Sequence, residues 1–259
     1  MKIKKKLTRK QFFAQDDEFI VFMTKARIWV KENFNFVVFG GIGIGIVVSA
    51  VWGFRYKQKA DIKNSTKIFF EASQNFNAAI EGEAPEQNQQ QTGKKFKNKE
   101  EKYASAIEAF DQTLELYPSS SVAEDALFLK AESFYYSEKY DEAISTYKQY
   151  LDKYGLKGPY SVQSSVSLGY IYEAKEDYQK AIDIFQKVID DYPDYLLRDT
   201  IFMELGRCYE DSKEWDQAKE SYQKVVMNFS DSPMLKEAQQ KLEAFGVNTA
   251  TENDTISGE

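Results

Sequence analysis

The distribution of apolar and charged positions divides this chain into two dissimilar parts. From Asn33 to Phe54 it reads NFNFVVFGGIGIGIVVSAVWGF, without one ionisable group. As a helix this run extends about 33 Å, enough to cross a hydrocarbon core of about 30 Å. Trp29, Trp52 and Tyr56 flank it, where rings with one polar edge favour a membrane interface. The spacing predicts a transmembrane helix over 34–54, with a buried core helix as the alternative. Ahead of it, Phe19, Phe22, Met23, Ala26, Trp29 and Val30 recur every three or four residues, with Lys25, Arg27 and Lys31 interleaved. That pattern predicts a short amphipathic helix suited to an anionic leaflet.

Beyond residue 55 the pattern repeats. Tyr103, Tyr140, Tyr178 and Trp215 are 37 or 38 residues apart. Each is followed three residues on by alanine (Ala106, Ala143, Ala181, Ala218) and then by a ring, at Phe110, Tyr147, Phe185 and Tyr222. Alanine and ring fall one turn apart on one helix face, so a partner helix can cross closely over the alanine while the ring fills the groove beside it. A preceding helix carries Leu168-Gly169-x2-Tyr172 and Leu205-Gly206-x2-Tyr209, with Ala131-x2-Phe134 in the least typical copy. Tyr117-Pro118, Tyr154-Gly155, Tyr192-Pro193 and Phe229-Ser230 stop the second helices.

A period of this length with Leu-Gly-x2-Tyr, Ala-x3-ring and a closing proline resembles the tetratricopeptide repeat. The expected fold is all-α, a helix-turn-helix solenoid with one N-terminal transmembrane helix. Full repeats occupy 119–230, and an earlier one is represented by the helix 100–117. The segment Asp61–Ile80 is expected to partner that helix through Phe69, Phe70, Ala72, Phe76 and Ala79. The expected divisions are a basic tail over 1–33, the membrane helix over 34–54, the repeat domain over 55–246 and a disordered tail over 247–259. Residues 82–100, GEAPEQNQQQTGKKFKNKE, read as a flexible insertion, and a helix ended by Gly246 as the cap of the stack.

Charge adds an orientation. Residues 1–33 carry nine Lys/Arg and four Asp/Glu, a net of +5, whereas 55–259 carry a net of −12. Arg55, Lys57, Lys59, Lys63 and Lys67 oppose this bias close to the span, but a long domain translocates largely regardless of its charge. The reading is N-terminus inside, repeats outside. Val48-Ser49-Ala50 keeps open the alternative of cleavage near Ala50 and release of a soluble exported adaptor. No cysteine stands near residue 50 to carry a lipid anchor. Within the span, Gly41, Gly45, Ser49 and Gly53 place small residues on one face, which suits close helix packing and homo-oligomerisation. The frequency of glycine in membrane helices explains the same pattern without a partner.

The composition narrows the chemistry. There is no histidine, and Cys208 is the single cysteine. Imidazole-dependent nucleophiles, His-bound zinc and internal disulfides are excluded. Gly40–Gly45 lacks the spacing of a dinucleotide loop, Gly93-Lys94-Lys95 lacks the rest of a P-loop, and Asp190-Asp191 lacks calcium-loop spacing. No enzyme activity, cofactor, metal or nucleic-acid partner is expected. Cys208 reads as a small core residue.

The whole arrangement resembles the bacterial YfgM-like family, single-pass membrane tetratricopeptide proteins ancillary to the Sec translocon. The repeats are also similar to those of the periplasmic Tol-Pal-associated cell-division coordinators. The resemblance implies a non-catalytic scaffold in the inner membrane, with an N-terminus in the cytoplasm and repeats in the periplasm. Its implied partners are translocon subunits or periplasmic chaperones. By register with the Leu-Gly motif, the inner face of the stack is expected to present Asp125, Phe128, Glu132, Tyr135 and Tyr136. Gln163, Val166, Tyr170 and Glu173 follow, then Thr200, Met203, Arg207, Glu210 and Asp211. An acidic groove with an aromatic floor suits partner segments bearing basic and apolar residues; an ordinary solvated face is the alternative.

Overall fold

The computed structural model describes residues 9–82 and 94–247. The expected tail beyond 247, most of the expected insertion and the first eight residues lie outside them. The chain divides into two units, 1–61 and 62–259.

In the first unit, helix α1 (Arg9–Glu32) runs into α2 (Phe34–Phe76). Asn33 N–H donates to Trp29 O, and Val37 N–H to Asn33 O, both at 2.9 Å, so helical bonding passes through the junction. The large apolar side chains here are exposed: Phe19, Phe22 and Trp29 are 66%, 65% and 53% exposed. One window of α2 is long and apolar enough to cross a membrane, and none of it is buried. The helix continues through Val48-Ser49-Ala50 without a break.

The second unit alternates helices that pack in chain order: α3 (Lys99–Leu116), α4 (Ala123–Tyr136), α5 (Tyr140–Tyr154), α6 (Ser161–Ala174), α7 (Tyr178–Asp191), α8 (Arg198–Asp211), α9 (Trp215–Asn228) and α10 (Leu235–Ala244). The final part of α2 partners α3. Phe69 meets Phe110 with ring centroids 6.0 Å apart, and Asn75 Nδ2 donates to Ser105 O at 3.2 Å. Phe70, expected on the packed side, is 60% exposed. Instead of staying helical to Ile80, the chain forms strand β1 (Ala79–Ile80), which pairs in parallel with β2 (Lys95–Phe96). The last residues of the expected insertion are therefore part of the fold. Phe96 is buried, and Asn98 caps α3 by accepting from Glu101 N–H at 2.9 Å.

The core explains the repeat motif. Ala106, Ala143, Ala181 and Ala218 are fully buried, as are Phe110, Tyr147, Phe185 and Tyr222. Each ring of the later repeats lies on the glycine of its first helix. A Cβ at Gly169 would sit 2.4 Å from Phe185 Cε1, and one at Gly206 2.3 Å from Tyr222 Cε1. Glycine there is a packing requirement, which outweighs its cost to an isolated helix.

The turn inside each repeat is built in one way. Glu138, Glu176 and Lys213 have φ of 59°, 59° and 66°, the left-handed region. The next N–H reaches back to close each helix: Lys139 to Phe134 O, Asp177 to Tyr172 O and Glu214 to Tyr209 O, at 2.8–2.9 Å. Gly246, at φ 74°, ends α10 in the same way. A side chain in this region costs about 1–2 kcal/mol, and glycine loses about 0.5–1 kcal/mol more on folding. Changing Glu138, Glu176 and Lys213 together to glycine is therefore expected to raise stability by about 1–3 kcal/mol. A urea midpoint that moves downward would contradict it.

Candidate partner-binding groove

The first helices α4, α6 and α8 supply the residues singled out above, and the structure sorts them into three groups. Four belong to the core. Phe128 and Val166 are 7% and 8% exposed, Met203 is fully buried, and Glu132 is 7% exposed. These four are corrected from surface to interior: their register faces the neighbouring helices, so they cannot present area to a partner. Phe128 stacks flat on Tyr160, centroids 4.3 Å apart, and Glu132 accepts from the Tyr147 hydroxyl and from Ser167 Oγ at 3.4 Å.

A second group is half-exposed but already bonded. Asp125 accepts from Tyr160 Oη at 2.8 Å. Tyr170 Oη donates to Glu204 at 3.3 Å and its ring meets Phe185 edge-on. Arg207 Nη2 donates to the same Glu204 at 2.7 Å, and Glu210 pairs with Lys241 of α10 at 2.6 Å. Tyr135 and Tyr136 meet at 5.3 Å, and Tyr136 also stacks on Tyr103. The third group is free to meet solvent. Gln163 and Asp211 are exposed, with Thr200 and Glu173 half-buried beside them.

The arrangement is an aromatic end (Phe76, Tyr103, Tyr135, Tyr136) followed by carboxylates of later repeats. Burial holds the Glu132, Glu173 and Glu204 carboxyls above the usual carboxylate range, and the Arg207 guanidinium only partly offsets this at Glu173 and Glu204. Burial likewise pushes the Cys208 thiol up to about 12, as befits a core residue. Glu204, Tyr160 and Lys241 went unnoticed in sequence. Glu204 sits where the other repeats have Leu129 and Ser167, so the repeat pattern gave no reason to select it.

Because the folded state binds the Glu132 proton more tightly than the unfolded chain does, the stability from this group is full at low pH. It is lost as pH rises from the ordinary carboxylate pKa through the raised one. Glu132→Gln mimics the protonated form. The variant is expected to match the parent near pH 4 and to exceed it near pH 8 in thermal unfolding; equal differences at both pH values would contradict the assignment.

On α2, Gly41, Gly45, Ser49 and Gly53 are exposed, and a Cβ added at any of the three glycines meets nothing within 4 Å.

The tetratricopeptide repeat family matches residues 99–154, 128–195 and 173–242, together more than half of the chain. The chain belongs to the tetratricopeptide repeat family, whose members are protein-interaction scaffolds. No curated protein sequence matches it. Among solved structures, it is similar to the crystal structure of MamA at 22% identity, covering 56% of this chain and 80% of that one with a TM-score of 0.46. A repeat structure from Podosopora anserina, described as kinesin light chain with nearly identical repeats, is 17% identical over 56% of this chain and 80% of that one, TM-score 0.46.

Proposed function

We propose that this protein is a membrane-anchored scaffold whose repeats bind segments of other proteins. The observation that carries the reading is the coexistence, in one chain, of a tetratricopeptide stack and a helix whose uncharged, most apolar window holds no buried residue. A soluble fold does not leave such a run in water. The basic tail supports an N-terminus in the cytoplasm and repeats in the periplasm of a bacterial inner membrane. The resemblance to YfgM-like and Tol-Pal-associated proteins supports work in translocation or envelope protein biogenesis, with translocon subunits or periplasmic chaperones as partners. Gly41, Gly45, Ser49 and Gly53 would then form a helix-packing face within the bilayer.

The inner face would take a partner by its free positions. Tyr170 is a poor probe, since its removal strips a donor from Glu204 and a ring from Phe185. Gln163 and Asp211 are exposed and structurally idle, although Asp211 lies near the Glu173 carboxyl. A photo-crosslinking residue at Gln163 or Asp211 in the full chain is expected to trap envelope proteins in cells, and one at exposed Glu220 on α9 is not. Equal adducts at all three positions would place the binding surface elsewhere.

A further inference from the structure

Leu196 is 92% exposed, more than any other large apolar side chain among the described residues. It projects from the connection between α7 and α8, with Leu197 beside it 53% exposed. A few residues earlier in the chain, Tyr192 lines a cleft of about 400 Å³ between α5, α6 and α7. The cleft exists where one joint departs from the others. The α5–α6 connection lacks the Tyr-Pro stop; it turns through Gly155 at φ 63° and a short 3-10 turn, Gly155–Lys157. Tyr150 fixes this loop, accepting from Tyr160 N–H at 3.1 Å and donating to Glu124 at 2.7 Å, and Gly158 lies too close to Tyr150 Oη for a side chain. The cleft is preformed, and its walls are apolar: Leu151, Leu168, Ile184 and Val188.

Lys148 and Lys187 also line it, and neither has a carboxylate within 4.0 Å among the described residues. Asp152 and Asp191 complete a rim of both signs. The free charge of the projection is negative: Asp194, just before Leu196, is exposed, whereas the Arg198 guanidinium after Leu197 is turned back to donate to Pro193 O at 2.9 Å. Asp194 beside the apolar knob is opposite in charge to Lys148 and Lys187 of the apolar hole. Knob and hole are neighbours along the chain, since Leu196 follows the cleft residue Tyr192 at once after Pro193, Asp194 and Tyr195. A patch that holds both halves of a contact can meet a copy of itself about a two-fold axis, closing the assembly at two.

We propose that the repeat domain pairs with a second copy of this chain through this edge, Leu196 of each copy seated in the α5–α7 cleft of the other. Asp194 then meets the partner's Lys148 or Lys187 ammonium. The contact uses a connecting loop and a cleft to which the first helix α6 lends only Ser165 and Leu168, neither of them an inner-face position. The inner face therefore stays open, and the contact does not depend on that face binding anything.

The test uses full-length chains in their membrane. Two differently tagged chains are co-expressed, one with Leu156→Cys at the cleft edge and one with Leu196→Cys. Both sites are exposed, and Cys208 is buried, so the introduced thiols are the reactive ones. Mild oxidation is expected to join the two tags at least tenfold more than when Leu196→Cys is replaced by Lys236→Cys on α10. Adding Asp194→Lys to the Leu196→Cys chain is expected to lower the yield several-fold. Equal yields from the two pairings, with every introduced cysteine open to maleimide, would overturn the proposal.

Discussion

Phe185→Ala is expected to destabilise the repeat domain by about 3–5 kcal/mol, the usual cost of emptying a fully buried aromatic site. That is a large part of the 5–15 kcal/mol that holds a typical domain together. The informative measurement is what happens to Gly169 in the same background. With Phe185 present, Gly169→Ala forces a methyl to within 2.4 Å of a ring that has no free space. Overpacking of that kind costs about 1–3 kcal/mol, more than the roughly 1 kcal/mol that alanine adds to a helix. With Phe185 removed, the clash disappears, the methyl fills part of the cavity, and the helix preference remains. Gly169→Ala is therefore expected to change sign, from destabilising to stabilising by about 1 kcal/mol. Ala131 occupies the corresponding place in the preceding repeat, where the ring is Tyr147 and both are fully buried, so the backbone itself accepts alanine, and how closely the ring of each repeat approaches decides the outcome. Urea unfolding of the two single variants and the double variant supplies the cycle. A Gly169→Ala effect of equal size and sign in both backgrounds would show that the close approach of helix and ring is not what glycine provides.

This contact marks the limit of what the sequence shows. Alanine, ring and glycine stand at fixed separations within each repeat, so their periodicity reveals the hairpin and its packing. The membrane-type segment is equally visible, because absence of charge over 33–54 is a local property. The inner face is harder. Val166, Met203 and Phe128 lie one register step from Ser167, Glu204 and Leu129, and a helix turning 3.6 residues per turn gives no sharp boundary between facing a groove and facing the next helix. What separates them is contact with other repeats. Glu210 is occupied by Lys241, 31 residues away, and Asp125 by Tyr160, 35 residues away. Such partners come from the stacking of hairpins, which neither residue's own repeat encodes. The pairing of Ala79–Ile80 with Lys95–Phe96 was hidden for a different reason: two residues per strand are too few to show alternation.

Ile44→Lys with Val48→Lys is expected to remove the protein from the membrane. Each side chain is more than 60% exposed on α2, with nothing in the fold to shield an added charge. A lysine near the centre of a spanning helix costs about 2.5–3.5 kcal/mol, and replacing isoleucine or valine forfeits a few tenths more. The pair amounts to about 6–8 kcal/mol, a shift of several powers of ten in partitioning. Lys25, Arg27 and Lys31 do not compensate, because residues flanking the span reach the interface whereas 44 and 48 lie a turn or more inside it. The expected outcome is a variant recovered in the soluble fraction after alkaline extraction, with the parent in the pellet. The repeat core is expected to melt at the same temperature in both, since it belongs to a separate compact unit, 62–259. A variant that stays in the pellet with its repeats intact would mean that α2 is not the anchor. The exposed apolar face of α1, with Phe19, Phe22 and Trp29, would then be the part of the chain holding it there.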